Sequence, residues 1–474
     1  MKNLKNLSTI AIGDGISKLV AFITGPYLAI KLQPASFGSV NLVTAIYMFM
    51  IVFVQFGTNE YGILKVSPNR GIENINKMIS KIILLRLLLL LFLTTLMLPV
   101  IFVFDLFLRH WMLFVAGYLT LFTFSIAMDW VYTSMEEMWI ASLVRMLSRV
   151  IYAVCVFIFV ATPNDAVAAI LIQGVTELLV VLSLCVILFK RKAIGFETIS
   201  FKDSYSVLRA AFPIFLTTVS VAVFGNIDVI LLGWMKSSEE VGYYAAALKL
   251  LIIAKSIRMT LGPFIFPKVV KFYSISKEHA QSFLRILQVY VTAVAVIIGC
   301  IGFLYAPQII RLLFGAQYEK SVIIFSTIIW VAFFEIISLV FAYFVFSINQ
   351  KLYAKIIIAS ALTNIILNVI MIGRMGALGS AIAYVVSSSM ISIICLLIVF
   401  RQFIKPRIWR DILFPIILGV ASFYSTFLLV KSVSVIYSSV LGLLLFIVLL
   451  FLLKLVRWSE LIINLGINKV YILI

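Results

Sequence analysis

Charge is scarce in this chain: of 474 residues, 12% are Asp, Glu, Lys or Arg, about half the share of an ordinary soluble domain. Histidine is nearly missing. His110 and His279 are the two present, both near loops, which argues against a histidine-centred metal site or proton relay. No Walker A sequence occurs, so ATP hydrolysis on a phosphate-binding loop is not expected. The four cysteines (Cys155, Cys185, Cys300, Cys395) lie inside apolar runs and form no CxxC or Cys/His cluster. They read as small buried hydrophobes, not as a disulfide framework or metal ligands.

What is abundant is apolar surface. Hydrophobic residues make up 64% of the chain and the mean hydropathy is +1.18. Several water-soluble domains, a disordered chain and a collagen-like chain are all excluded by that excess, which leaves an all-α polytopic membrane protein. The formal charge is +19, from 38 Lys and Arg against 19 Asp and Glu. In a soluble protein that balance would suggest a nucleic-acid partner. Here it poses a different question, namely which side of the bilayer carries the cations, and no nucleic-acid partner is expected.

A spanning helix needs about 20 mainly apolar residues. Candidates occur near 8–32, 40–63, 80–104, 110–133, 140–162, 165–189, 207–232, 242–266, 283–306, 321–346, 352–373, 376–400, 412–430 and 435–456, about 14 transmembrane helices. The first stretch carries Asp14 and Lys18, exceeds signal-peptide length and lacks a small-residue cleavage site, so it is expected to be retained. With the N-terminus inside, about 26 cations, Arg145 and Arg149 among them, fall on cytoplasmic segments and about seven (Lys31, Arg109, Lys236, Arg311, Lys320, Arg374, Lys431) on outer ones. That is the asymmetry the positive-inside rule expects of a correct alternation, and it places both termini in the cytoplasm. Outer connections are short, about fifteen residues or fewer, too small for an external catalytic domain.

Basic breaks at Lys190-Arg191-Lys192 and at 401–410 divide the chain. The expected organisation is an N-terminal six-helix lobe (1–192), a cytoplasmic linker (193–206), a C-terminal six-helix lobe (207–400) and a C-terminal helix pair with tail (401–474), the lobes surrounding a central cavity. Phe37-Gly38-Ser39-Val40 and Val241-Gly242-Tyr243-Tyr244 open corresponding helices about 204 positions apart, and the same offset carries Lys81 onto Arg285. Parallel repeats of this kind are a transporter plan with the substrate between halves.

Particular stretches carry a resemblance. Phe212-Pro213-Ile214, Asn226-Ile227-Asp228-Val229-Ile230-Leu231-Leu232-Gly233 and Val241-Gly242-Tyr243-Tyr244-Ala245-Ala246-Ala247 resemble the start of the second half of polysaccharide-export flippases. So do Asn364-Ile365-Ile366-Leu367-Asn368 with Gly376-Ala377-Leu378-Gly379-Ser380-Ala381-Ile382-Ala383, and Phe37-Gly38 with Gln55-Phe56-Gly57. The family resembled is the O-antigen flippase (Wzx-type) branch of the multidrug, oligosaccharidyl-lipid and polysaccharide exporter superfamily. The resemblance implies a transporter, not an enzyme, in the bacterial inner (plasma) membrane. It would move polyprenyl-pyrophosphate-linked oligosaccharide repeat units to the outer leaflet by alternating access. It also implies membrane lipids as surroundings and a polysaccharide polymerase and chain-length regulator as partners. No cofactor is expected, and the candidate drives are an H⁺ or Na⁺ gradient and the membrane potential alone.

Such a substrate brings a diphosphate across about 30 Å of hydrocarbon, so cations at mid-depth should face a polar cavity. Lys18, about 15 Å along the first helix, is the leading candidate. The resemblance supports it, since relatives often place a basic residue after Ser here, as in Ser17-Lys18. Asp14, four residues earlier on the same face, is the competing partner. Lys249 falls where cell-wall lipid flippases of the superfamily tend to have a cavity arginine, with snorkelling as the alternative. Lys255 and Arg258 share a helical face and complete the cationic set, again with snorkelling as the alternative. Arg86, close after Lys81, reads as an inner-boundary anchor.

Among the acids, Glu60, Asp129, Glu177, Asp228 and Glu335 fall in or near spans. Glu177 and Glu335 are the deeper candidates for coupling or sugar contact. Asp228 matches an Asp of the family near the end of the seventh helix. The relatives' mid-cavity arginine on the second helix is absent, the region reading Tyr47-Met48-Phe49-Met50, which counts against lipid II as substrate. Trp111, Trp130, Trp139, Trp234 and Trp458 read as an interfacial belt. Pro26, Pro213, Pro263 and Pro267 read as bends, the last two closing the eighth helix. The alternatives are a cation-coupled multidrug exporter of the same superfamily, disfavoured by cavity cations, and an integral-membrane polysaccharide polymerase, disfavoured by the short outer loops.

Overall fold

In hydrocarbon every backbone N–H and C=O must find a partner within the protein, so long apolar runs become helices. The computed structural model describes residues 2–103, 108–190, 195–275, 277–402, 409–430 and 435–453, and among them there are helices and no strands. The first stretch contains α1 (Lys2–Gln55), α2 (Thr58–Val66), α3 (Ile72–Val103), α4 (Trp111–Ser125), α5 (Asp129–Ser134), α6 (Met138–Phe159) and α7 (Ala166–Lys190). Next come α8 (Phe201–Met235), α9 (Ser238–Ile275), α10 (Lys277–Leu304), α11 (Ala306–Phe314), α12 (Ser321–Ile337) and α13 (Leu339–Ile348). The last are α14 (Gln350–Met375), α15 (Ala377–Gln402), α16 (Phe414–Val430) and α17 (Val435–Leu452).

Eleven helices are long and apolar enough to cross a membrane, or twelve if the bent pair α12–α13 is one span. The count of fourteen is not reproduced by length. One difference lies at Gly13–Val66, a single run of 54 residues that the sequence divides into two spans. Inside α1, Gln33 has φ 60 and ψ 166, outside the helical region. The following Pro34 disfavours helical geometry at residue 33, which is the physical reason for a break there. Another difference is Tyr437–Leu452, which falls among the shorter apolar helices. Residues 454–474 and 191–194, including Trp458, lie outside the described residues.

Contacts cluster into two compact units, Met1–Ala245 and Ala246–Ile474. In the first, Val66, Ile79, Ile82, Trp130, Tyr132 and Leu184 belong to one buried core. In the second, Val291, Val296, Phe333, Phe344, Phe423 and Phe446 belong to another. Trp130 is therefore a core residue at 3% exposure, not a belt tryptophan, because Gly62 leaves room for its ring. Trp111 and Trp234 are exposed as a belt requires. Helix α9 also continues through Pro263 and Pro267 to Ile275 instead of ending there.

The two glycine motifs singled out by the repeat meet inside the first unit. A Cβ on Gly38 would lie 1.7 Å from the Ser238 carbonyl oxygen, and one on Gly242 would lie 2.0 Å from that of Pro34. Pro34 and Ser238 stand the same number of positions apart as Gly38 and Gly242, so the contact is reciprocal, as a pseudo-two-fold axis between repeats requires. Only glycine permits so close an approach.

The chain after 194 is tied to α3. Gly195 N–H donates to Asn76 Oδ1 at 2.7 Å and Glu197 N–H to Ser80 Oγ at 3.1 Å. Lys81 pairs with Asp203 at 2.9 Å, and Ser200 caps α8 by accepting from Lys202 N–H. In the second unit, the segment between α11 and α12 is closed by a bidentate Arg311–Glu319 pair at 2.9 Å. The hydrogen bond from Arg311 holds the Glu319 carboxyl below its ordinary range.

Helices α14 and α15 are separated by Gly376 alone, with φ 57 and ψ −134. No side-chain-bearing residue occupies that region readily, and strain there costs about 1–3 kcal/mol. Gly376→Ala is therefore expected to lower thermal stability of the detergent-solubilised protein by about that amount. An unchanged melting temperature would refute the assigned turn.

A groove of about 490 Å³ opens between α1, α3 and α4, lined by Tyr47, Met50, Met97, Trp111, Phe114 and Tyr118 among others.

Candidate functional site

Each unit carries charge in the middle of its helices. In the second unit, α9 presents Lys255 and Arg258 to Glu335 of α12. Lys255 Nζ lies 2.8 Å from Glu335 Oε1, and Arg258 Nη1 lies 3.0 Å from Glu335 Oε2. Lys255 also donates to the Tyr384 hydroxyl at 2.8 Å. Glu335 sits where it does because the α12–α13 span is bent by 50° just after it. Side chains reach the backbone at that bend: Ser392 Oγ donates to Phe334 O at 2.9 Å and Gln288 Nε2 to Ile337 O at 3.0 Å. Broken helices in lipid persist only with such partners. The cluster has two cations to one carboxylate, so it keeps a net positive charge. Lys249, also on α9, is half-buried.

The first unit holds two groups. On α1, Lys18 Nζ pairs with Asp14 Oδ2 at 2.6 Å, the side chains 43% and 61% exposed. On α6, Arg145 Nη2 donates to Asp129 Oδ1 at 2.6 Å, and Arg149 Nη2 donates to Glu177 Oε1 at 2.8 Å. Arg145 Nη1 is also 3.7 Å from Glu177 Oε2, so Glu177 bridges both arginines. Arg145 and Arg149 had been counted with the cytoplasmic cations, but Arg149 stands near the middle of Met138–Phe159. The signal that finds them is the polar stripe Arg145, Ser148, Arg149, Tyr152, at the i, i+3, i+4, i+7 spacing of one helical face. Ser148 fixes that face by donating to Thr176 O of α7 at 2.9 Å.

These two groups lie side by side. A Cβ on Gly13 would touch Ser142 Oγ, and the Tyr27 hydroxyl donates to Val160 O at 3.0 Å. Helices α1 and α6 thus run parallel, and Lys18 is level with the stretch between Arg145 and Arg149. The arginine side chains are 37% and 38% exposed. A charge at the bilayer centre costs roughly 2.5–3.5 kcal/mol or more when it faces lipid. Pairing with Asp14, Asp129 and Glu177 lowers that cost, and all three cations stay partly exposed beside their carboxylates.

Two expected residues turn out to be enclosed. Asp228 is 3% exposed and accepts from the Tyr244 hydroxyl at 2.9 Å, pinning α8 to the start of α9. Arg86 is no boundary anchor: it is fully buried. Its Nε donates to Thr58 Oγ1 at 2.7 Å, its Nη1 to Ala127 O at 2.9 Å and its Nη2 to Asn59 Oδ1 at 2.8 Å. Helix breaks at Phe56-Gly57 and at 126–128 leave groups for the guanidinium to bind, which draws it inward. Among the described residues no group of three or more His, Cys, Asp or Glu could hold a metal ion.

Comparisons with known proteins place this arrangement. The family described as "Polysaccharide biosynthesis protein" matches residues 3–273, more than half of the chain. Two curated relatives carry the name "Putative O-antigen transporter". The one from Escherichia coli (strain K12) is 24% identical over 403 residues, covering 83% of this chain and 96% of its own. The one from Shigella dysenteriae is 24% identical over 323 residues, covering 67% and 79%. Among solved structures, "Lipid II flippase MurJ, inward closed conformation" superposes with a TM-score of 0.76 at 16% identity, covering 94% of this chain and 99% of that one. An inward-facing multidrug resistance MATE family transporter of the MOP superfamily gives 0.64 at 13% identity, covering 83% and 98%.

These relatives are named for transport, not catalysis, and the two solved folds agree with the exporter superfamily that the Asn226–Gly233 and Gly376–Ala383 motifs resemble. Helical and free of strands among its described residues, the chain is a multi-pass membrane protein with that transporter fold. By its match over residues 3–273, it belongs to the polysaccharide biosynthesis protein family.

Proposed function

We propose that this protein is a flippase for lipid-linked oligosaccharides, moving polyprenyl-pyrophosphate-linked repeat units of O-antigen or capsular type from the inner to the outer leaflet by alternating access. The observation that carries the reading is the partial exposure of Lys18, Arg145 and Arg149 at the level of the middle of α6, each beside a carboxylate that a competing anion can displace. The Lys255–Arg258–Glu335 cluster supplies a net-positive station in the other unit, whereas the three cations of the first unit are matched by Asp14, Asp129 and Glu177. A diphosphate is the natural ligand of such groups, since Arg and Lys bind phosphate oxygens through strong charge-assisted hydrogen bonds. A multidrug exporter of cationic compounds is disfavoured by the net charge of the Lys255–Arg258–Glu335 cluster.

In this reading the protein sits in the bacterial inner membrane with both termini cytoplasmic, as the cation asymmetry between its loops supports. Turnover needs no nucleotide and draws on an H⁺ or Na⁺ gradient, with Glu335 and Glu177 as the coupling carboxylates and Asp14 as the charge partner of Lys18. Asp228, held by Tyr244, has a fastening role. Membrane lipids surround the protein, and a polymerase and chain-length regulator act on its product.

Reconstitution tests this directly. Proteoliposomes containing the full chain and a fluorescent polyprenyl-diphosphate glycan are expected to move the glycan to the opposite leaflet without ATP. Movement no faster than in protein-free vesicles, or a strict nucleotide requirement, would overturn the proposal.

A further inference from the structure

The groove between α1, α3 and α4 belongs to none of the charged clusters. Its walls include polar atoms, yet these satisfy one another: the Tyr47 hydroxyl donates to Phe114 O at 2.5 Å, and Thr94 Oγ1 is 3.0 Å from the Tyr118 hydroxyl while donating to Leu90 O. With these hydroxyls engaged the lining is overwhelmingly apolar, which suits hydrocarbon rather than water or sugar. Met50 and Met97 give the walls the adaptable lining that suits a mobile chain.

Length identifies the occupant further. Along α4 the lining runs from Trp111 to Leu121, about 15 Å at the helical rise, which is half of the roughly 30 Å hydrocarbon core. One leaflet's fatty chain fits that distance, whereas a polyprenyl chain is several times longer and would lie mostly outside. At the rim, exposed Leu108 and Trp111 flank Arg109, itself exposed. Trp and Arg at that position suit the interface, where a lipid phosphate sits.

We infer that this groove is a binding site for one fatty-acyl chain of an anionic glycerophospholipid, with Arg109 beside the headgroup phosphate. The lipid is a fixed part of the first unit, filling the space that the α1–α3–α4 packing leaves open. The inference stands apart from the transported substrate.

The test uses the full-length protein in phosphatidylcholine vesicles containing phosphatidylglycerol with a diazirine on its acyl chain. After illumination, labelled peptides are mapped by mass spectrometry. Label on the Met97 and Val115–Leu121 peptides is expected to exceed that on the lipid-exposed Val154–Ile158 stretch of α6 about tenfold, a preference of one logarithmic step in binding. Val115→Trp, which fills the groove, is expected to bring the two to the same level, and Arg109→Gln to weaken groove labelling. Met97→Phe serves in place of Val115→Trp if the latter does not fold. Equal labelling of both regions in the unaltered protein would make the groove ordinary lipid-facing surface and overturn the inference. Displacement of the label by an isoprenoid phosphate at a small mole fraction would overturn it in favour of a carrier-lipid site. Neither result bears on the proteoliposome assay, so the two readings fail separately.

Discussion

Lys18→Ala is expected to reduce export of surface polysaccharide by roughly tenfold to a hundredfold while the protein accumulates normally. A charge-assisted hydrogen bond to substrate is worth about 1.5–3 kcal/mol, which sets that range. Stability should barely change. The Lys18–Asp14 pair is largely exposed, and such pairs contribute about 0–1 kcal/mol. Asp14→Asn separates the two roles of the pair. If Lys18 serves substrate, removing its carboxylate leaves export intact or faster; if the pair is structural, both variants fail alike.

Arg149→Ala is expected to match Lys18→Ala in export, because Glu177 keeps Arg145 as a neighbour at 3.7 Å and the helix is not left with an unpaired carboxylate. Surface glycan measured by gel, against protein level by immunoblot, gives the answer. Normal export in both variants would remove the cationic face of the first unit from the mechanism.

The second large effect concerns Arg86, and it falls on folding. Arg86→Ala would leave Thr58, Asn59 and the Ala127 carbonyl without their donor and open a void in a fully buried position. Loss of a buried, hydrogen-bonded charged side chain of this size costs about 3–5 kcal/mol by the tendencies for buried partners and cavities. The detergent-solubilised variant is expected to melt many degrees lower and to accumulate poorly. Arg86→Lys should rescue little, since an ammonium cannot span three acceptors set in a planar fork. A melting temperature within a degree or two of the parent would show that Arg86 does not stitch the two helix breaks.

Much of this molecule is legible in its residues. Runs such as 165–189 and 376–400 announce their helices without help, because lipid leaves an apolar stretch no other way to satisfy its backbone. The glycine motifs at 38 and 242 were legible as counterparts, and the structure adds that they touch. Trp130 was misread because a tryptophan near a span end suits a belt or a core equally, and only Gly62 opposite decides. Arg86 was misread for a related reason: five residues from Lys81 it looks anchored, and nothing local reveals that two helix breaks need its donors. Arg145 and Arg149 were assigned to a cytoplasmic segment although their spacing marks one face of α6.

From sequence alone came the membrane class, the helical fold and the exporter family, because apolar excess and motif are properties of single stretches. Tertiary structure alone decided which charges meet. Glu177 joins Arg149 across 28 positions and Glu335 joins Arg258 across 77, and no local rule encodes such pairings. They depend on which helices pack together and on which face each turns inward, a choice made by the summed packing of side chains distant along the chain.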